Sequence, residues 1–92
     1  MKINFFDALS NTHKLKLVFT NATFLSCRAT PNSVIELFSL ADFFVEVWYS
    51  GMQNTNGIDT EIKSFKSIEL LRPYLDEETS FLILKETHNV AL

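Results

Sequence analysis

The stretch SVIELFSLADFFVEVWYS, residues Ser33–Ser50, decides the fold. It holds the densest run of β-branched and aromatic residues in the chain, and these residue types fit the half-buried surface of a sheet. Leu40-Ala41-Asp42 interrupts the run, and we interpret it as a three-residue turn centred on Ala41. The stretch therefore predicts two antiparallel strands, Ser33–Ser39 and Phe43–Ser50.

Similar alternation of apolar and polar residues flanks this hairpin. Lys14–Phe19 and Thr23–Thr30 precede it, with turns centred on Asn21 and Pro31, and Ile58–Phe65 follows it. Asn tolerates left-handed backbone and Pro presets φ, so both suit turns. The pattern predicts an antiparallel meander of about five strands.

Short helices are expected at both ends of this meander. NFFDALSN, residues 4–11, begins with Asn4 as a cap, and Ser67 precedes a second helical stretch that Pro73 kinks. Phe81–Leu84 fits either a sixth strand or a last helical turn, and Glu86–Leu92 is expected to fray. The predicted fold class is α+β, and residues 1–92 are predicted to form one small domain.

Composition narrows the classes of function. The 92 residues are 47% apolar and carry a net charge of −3, which is the wrong sign for a nucleic-acid-binding surface. The chain lacks the roughly 18 consecutive apolar residues that a membrane span needs. The single cysteine cannot form an internal disulfide. We therefore predict a cytoplasmic protein that binds neither nucleic acid nor membrane.

In a hairpin, the sequence numbers of two opposed residues add up to a constant, which the turn fixes. Three-residue turns therefore assign every side chain of the strands to one of two faces. One face is apolar throughout and is the predicted core. Its members are Leu15, Leu17, Phe19, Leu25, Cys27, Ala29, Ile35, Leu37, Phe43, Val45, Val47, Tyr49 and Ile62.

The opposite face combines an aromatic row with a charged row. The aromatic row contains Val18, Phe24, Phe38, Phe44 and Phe65, with Trp48 close by. The charged row runs Lys16, Ser26, Glu36, Glu46 and Lys63. A solvated sheet face would be polar throughout, so the aromatic row needs an explanation.

Two explanations of the aromatic row stay open. A terminal segment, either NFFDALS or SFLIL, could cover it and form a second core. Alternatively, part of it stays exposed and meets another chain, since large apolar patches on monomers mark interaction sites. One short helix cannot easily cover both faces, and self-association is the commonest kind of association. We therefore favour a non-enzymatic homodimer or protein-interaction module, with Phe24, Phe38, Phe44, Trp48 and Phe65 as candidate interface residues.

The alternative function is a small enzyme or ligand-binding protein. Glu36 and Glu46 are expected on adjacent strands, under a lid formed by Gly51–Gly57, and carboxylate pairs can perform acid–base chemistry. Lys16 and Lys63 flank them without an evident pocket. His13 and His88 lack metal-ligand spacing, and Cys27 is predicted to be buried and inert. The sequence therefore points to no catalytic residue, no metal and no cofactor.

One pattern resembles that of a family of small uncharacterised bacterial proteins with a domain of unknown function. The pattern comprises the strand Phe43–Tyr49, read FFVEVWY, preceded by Leu37–Leu40 and followed by Leu71-Arg72-Pro73-Tyr74-Leu75. That family has no assigned activity, so no catalytic residue carries over. The resemblance implies a bacterial, cytoplasmic protein of one domain.

Overall fold

In the described part of the chain, two helices precede an antiparallel sheet and one follows it. The structure, a computed structural model, describes residues 1–51 and 59–75. In chain order the elements are α1 (Ile3–Asp7), α2 (Asn11–Asn21), β1 (Thr23–Thr30), β2 (Ser33–Leu40), β3 (Phe43–Ser50), β4 (Asp59–Phe65) and a 3₁₀ helix (Ile68–Tyr74). The strands are ordered β1-β2-β3-β4, and all neighbours are antiparallel. This confirms an α+β fold with an antiparallel meander, here of four strands within the described residues.

The segment predicted as the first strand, Lys14–Phe19, lies inside α2, so that prediction is wrong. Ser10 caps α2, its side-chain oxygen accepting a hydrogen bond from the backbone N–H of His13. Leu15 and Val18 then face the sheet at helical spacing. Over six residues a helical stripe and a strand alternation are easily confused. The first helix is correspondingly shorter than predicted, and residue 11 begins α2.

The hairpin between β2 and β3 has a two-residue loop, which corrects its predicted register. Leu40 pairs with Phe43, so the loop is Ala41-Asp42 and not a three-residue turn centred on Ala41. Ala41 has a φ of 52°, and a positive φ at the first loop residue is the pattern of a type II′ turn. A shift of one residue exchanges the faces of one strand relative to the other. Phe38 and Phe44 consequently lie on opposite faces of the sheet.

The other two ladders are closer to expectation. Phe24 pairs with Phe38, as predicted, but a bulge between Phe24 and Ser26 shifts the rest of β1 by one residue. Cys27 therefore pairs with Glu36 and is exposed, so its predicted place in the core is wrong. Between β3 and β4 the predicted register is confirmed, with Phe44 opposite Phe65.

The sheet is apolar on both faces, and a different segment covers each. On the face that we call the helical face, α1 and α2 cover a cluster comprising Phe6, Val18, Phe38, Leu40, Phe43, Val45 and Val47. On the face that we call the C-terminal face, the 3₁₀ helix covers a cluster comprising Leu25, Ile35, Leu37, Phe44, Leu71 and Tyr74. The described residues therefore form two cores, one on each side of the sheet.

Several predicted segments lie outside the described residues. They are the loop after Gly51, Ile58, the polar turn at 76–79, Phe81–Leu84, the tail from Glu86 and His88. Among the residues that the structure does describe, no helix is long and apolar enough to cross a membrane.

Candidate functional site

The predicted aromatic row divides into two ring pairs, one on each face. On the helical face, Phe24 and Phe38 meet edge to face with ring centroids 5.7 Å apart. On the C-terminal face, Phe44 stacks on Phe65, also at 5.7 Å. Phe38 and Phe44 are only 6% and 1% exposed. Both belong to the cores of the protomer itself, and Phe24 is the exposed member of the row.

The predicted charged row divides in the same way. Glu46 lies opposite Lys63 on the C-terminal face, whereas Glu36 lies opposite Val47 on the helical face. Lys16 is on α2, outside the sheet. The two glutamates therefore do not form the carboxylate pair on which the predicted enzyme depended.

Glu46 is the buried centre of a polar cluster that we call the Glu46 cluster, made of Arg28, Glu46, Trp48, Lys63 and Tyr74. One carboxylate oxygen accepts a hydrogen bond from Trp48 Nε1 at 3.2 Å, and the other accepts one from the Tyr74 hydroxyl at 2.5 Å. A guanidinium nitrogen of Arg28 lies 3.6 Å from the second oxygen. Because Glu46 is 8% exposed, these partners supply the interactions that water would otherwise give.

The rings of Trp48 and Tyr74 hold Arg28 between them. The guanidinium carbon lies 5.3 Å from the Trp48 ring and 5.2 Å from the Tyr74 ring. Lys63 Nζ lies 4.1 Å from the Trp48 ring, so two cations flank one indole. Arg28 Nε is buried and has no hydrogen-bond partner within the described part of the chain. The cluster thus joins β1, β3, β4 and the 3₁₀ helix.

The chemistry of the Glu46 cluster suits a structural role. Burial, followed by the hydrogen bond to Glu46, raises the pKa of the Tyr74 phenol well above its usual value. Tyr74 consequently stays protonated at neutral pH and donates to a carboxylate whose two oxygens are both occupied. General acid–base catalysis needs a carboxylate that can reach a substrate. We infer that this cluster holds the 3₁₀ helix against the sheet.

Glu36 has a single phenol partner on the helical face. The Tyr49 hydroxyl donates to its Oε1 at 2.7 Å. Burial and this hydrogen bond together raise the pKa of Tyr49 to about 12. Glu36 is therefore held by a neutral donor, well separated from the Glu46 cluster by the sheet itself.

An exposed apolar surface lies at the β1 side of the helical face, beside the C-terminal end of α2. We call it the β1 surface, and its members are Phe19, Phe24, Cys27, Ala29 and Val34. Phe19 and Phe24 are 57% and 51% exposed, and both rings contact the buried Phe38 edge to face. Two half-exposed aromatic rings therefore stand side by side above one core residue.

The β1 surface adjoins an open sheet edge. β1 is the first strand of the sheet, and no other described strand pairs with its outer side. Edge strands are usually protected by charged side chains. The one charged residue of β1, Arg28, instead points to the C-terminal face and contacts Glu46. The helical face of this edge therefore presents apolar side chains without a charge on the strand.

Sequence reasoning missed two of the residues that matter at these sites. The predicted registers place Phe19 in the core, and nothing in the sequence pairs Tyr74 with Glu46. A helical interpretation of α2 would have placed Phe19 on the same side of the helix as Leu15, four positions earlier, and so beside the sheet. The partnership of Tyr74 with Glu46 spans 28 residues and leaves no local signal.

Comparison of the chain with protein families, with curated proteins and with solved structures finds no match. Within the described residues, no three His, Cys, Asp or Glu side chains are grouped closely enough to hold a metal ion.

Proposed function

We propose that the protein is a non-enzymatic module that self-associates through β1, two copies pairing their β1 edges antiparallel across a two-fold axis. The observation that carries this proposal is the coincidence of an edge that no described strand pairs with and an exposed pair of aromatic rings, Phe19 and Phe24. The contact differs from the interface expected from the sequence, because Phe38 and Phe44 are buried, whereas Phe24 keeps its place in it.

The open edge supports this mode of association. An exposed edge strand offers a row of backbone N–H and C=O groups that another strand can pair with. Opposed residues of an antiparallel pair lie on the same face, so Phe24 of each copy would add to one shared apolar face. Joining two edges would therefore satisfy backbone groups and cover aromatic surface in a single step.

A second copy fits this edge better than an unrelated chain. A two-fold axis makes any strand complementary to itself in the antiparallel sense, and such symmetric dimers are the commonest oligomers. Arg28 would not oppose this pairing, because its charge is already matched by Glu46 on the other face.

The expected affinity is modest. Two half-exposed phenylalanines offer on the order of 200 Å² of apolar surface per copy, which is well below the roughly 800 Å² per partner of a standard interface. Backbone pairing and Val34 have to supply the rest. We therefore expect a dissociation constant in the micromolar range.

Sedimentation equilibrium tests this proposal at protein concentrations from about 1 to 200 μM. We expect a monomer–dimer equilibrium for the wild type and a monomer for Phe24→Glu, which places a charge at the centre of the β1 surface. Ile68→Glu is the matched control, because Ile68 is similarly exposed but lies on the 3₁₀ helix. A wild type that stays monomeric throughout, or a Phe24→Glu variant that dimerises like Ile68→Glu, would overturn the proposal.

We further propose a bacterial origin, membership of the uncharacterised family that the chain resembles, and a cytoplasmic location. These rest on the resemblance and on the single cysteine. Glu36 and Glu46 lie on opposite faces of the sheet, so they do not form the carboxylate pair of the alternative enzyme.

A further inference from the structure

A second apolar feature lies between the two helices, and it shares no residue with the β1 surface. It is a groove of about 340 Å³ lined by Phe5, Leu9, His13, Lys16, Leu17 and Thr20. This volume is at the lower end of the range seen for small-molecule sites. Phe5 is 60% exposed along it, although it sits in a helix whose other aromatic residue, Phe6, is fully buried.

The polar groups of the groove are cationic or already satisfied. The Thr20 hydroxyl donates to the carbonyl oxygen of Lys16 at 2.7 Å, so it is used within α2. His13 Nδ1 lies 3.1 Å from the Ser10 hydroxyl. No carboxylate among the described residues lies within ion-pair distance of Lys16. Within the described part of the chain, the lining therefore offers an apolar wall beside an ammonium group that no carboxylate pairs with.

Positive charge is concentrated at the start of the chain, where the groove lies. The first 22 residues hold three lysines and one aspartate, a formal charge of +2, in a chain whose total is −3. The one acid, Asp7, is hydrogen-bonded to Ser64 of β4. The two helices therefore carry a net positive formal charge, which favours an anion, although the whole chain is negative.

We propose that this groove binds the monomeric carboxylate of an aliphatic acid, with the acyl chain against Phe5, Leu9 and Leu17 and the carboxylate at Lys16. Charge complementarity selects an anion over a neutral or cationic amphiphile of the same length. The size of the groove suits a chain of medium length and not a long one. The site is independent of the dimer proposed above.

Titration of the full-length protein with decanoate, kept below its micelle concentration and followed by ¹H–¹⁵N NMR, tests this site. We expect shifts concentrated in residues 5–20 and a dissociation constant on the order of 1 mM. Lys16→Gln should weaken binding about threefold, as expected for loss of one exposed charge contact. Lys14→Gln is the matched control, because Lys14 lies over the Phe6 ring and outside the groove.

Comparison ligands show whether the NMR shifts come from binding of the carboxylate, of the alkyl chain alone or of a lipid surface. Decyltrimethylammonium, which has the same chain and the opposite charge, should bind several-fold more weakly than decanoate. Equal binding of the two, or equal binding by Lys16→Gln and Lys14→Gln, would overturn the proposal. So would an absence of shifts in residues 5–20, or binding to anionic phospholipid vesicles without binding of free decanoate, since the helices would then be a membrane-contact surface.

Discussion

The hydroxyl of Tyr74 donates a hydrogen bond to Oε2 of Glu46, with the two oxygens 2.5 Å apart, although the residues are 28 positions apart in the chain. This bond ties the 3₁₀ helix to the middle of β3. The same carboxylate oxygen faces Arg28 of β1, so one buried acid connects an edge strand, a central strand and the C-terminal covering segment.

Removing the charge of Glu46 should loosen that connection. Glu46→Gln keeps the shape of the side chain but leaves Arg28 without its counter-charge, and we expect the free energy of unfolding to fall by about 1–3 kcal/mol. Urea denaturation measures this. Glu61→Gln, at an exposed position on β4, should stay within about 0.5 kcal/mol of the wild type. If both variants were equally stable, Glu46 would not be fastening the helix.

Stability should decline in alkali because two phenols have raised pKa values. Below pH 10 both are protonated in the folded and unfolded chains, so their full contribution is present. Above pH 10 the unfolded chain loses these protons before the folded chain does, so the free energy of unfolding falls as pH rises. For Tyr49 the fall continues to about pH 12, the pKa of its phenol in the folded protein.

Denaturation curves collected between roughly pH 9 and 11 measure this dependence. Tyr74→Phe should flatten the decline relative to the wild type, because the variant has one fewer phenol to deprotonate. A wild type and a Tyr74→Phe variant with parallel declines would show that Tyr74 does not contribute to it.

The two cores can be probed with one kind of substitution. Phe38→Leu and Phe44→Leu each replace a buried ring with a smaller side chain, one on each face of the sheet. Each should lower the free energy of unfolding by on the order of 1 kcal/mol. Phe24→Leu, at an exposed position, should cost less than about 0.5 kcal/mol when measured at monomeric concentrations. Equal small costs at all three positions would mean that the aromatic row is exposed after all.

The hairpin loop offers a stabilising change. Ala41 has a φ of 52°, where glycine avoids the clash that a β-carbon makes. Ala41→Gly should raise the free energy of unfolding by about 0.5–1 kcal/mol. Ala29→Gly, in the extended backbone of β1, should lower it instead, because glycine weakens strands. A destabilised Ala41→Gly variant would argue against the two-residue loop.

Much of the sheet could be predicted from the sequence, because its strands have clear ends. Pro31-Asn32 and the break at Leu40–Asp42 bound β1, β2 and β3, and the ladder of β3 with β4 follows from alternation alone. The face that each side chain occupies could not be predicted as well. Alternation fixes a face only when the loop length is known, and a loop one residue shorter than expected moved Phe44 away from Phe38.

Two further differences had other physical causes. Lys14–Phe19 alternates over too few residues to distinguish a strand from a helix. The Ser10 cap and the packing of Val18 on the sheet stabilise the helix. The bulge in β1 adds one residue, and no Gly or Pro in that part of the sequence indicates it. Because of the bulge, Cys27 is exposed and does not lie in the core. Of the candidate interface residues, Phe24 is consequently exposed, whereas Phe38 and Phe44 are buried.

The most direct test of self-association through β1 uses Cys27, which is exposed on that strand and is the only cysteine of the chain. A spin label at Cys27 projects from the face of the sheet and leaves the strand edge open for pairing. Electron paramagnetic resonance of the labelled protein at dimer-forming concentrations should show dipolar coupling between labels within about 20 Å, since paired strands lie about 5 Å apart and β1 is short. Coupling should disappear in Phe24→Glu. A labelled dimer without coupling at this range would contradict the proposed pairing of β1 with β1.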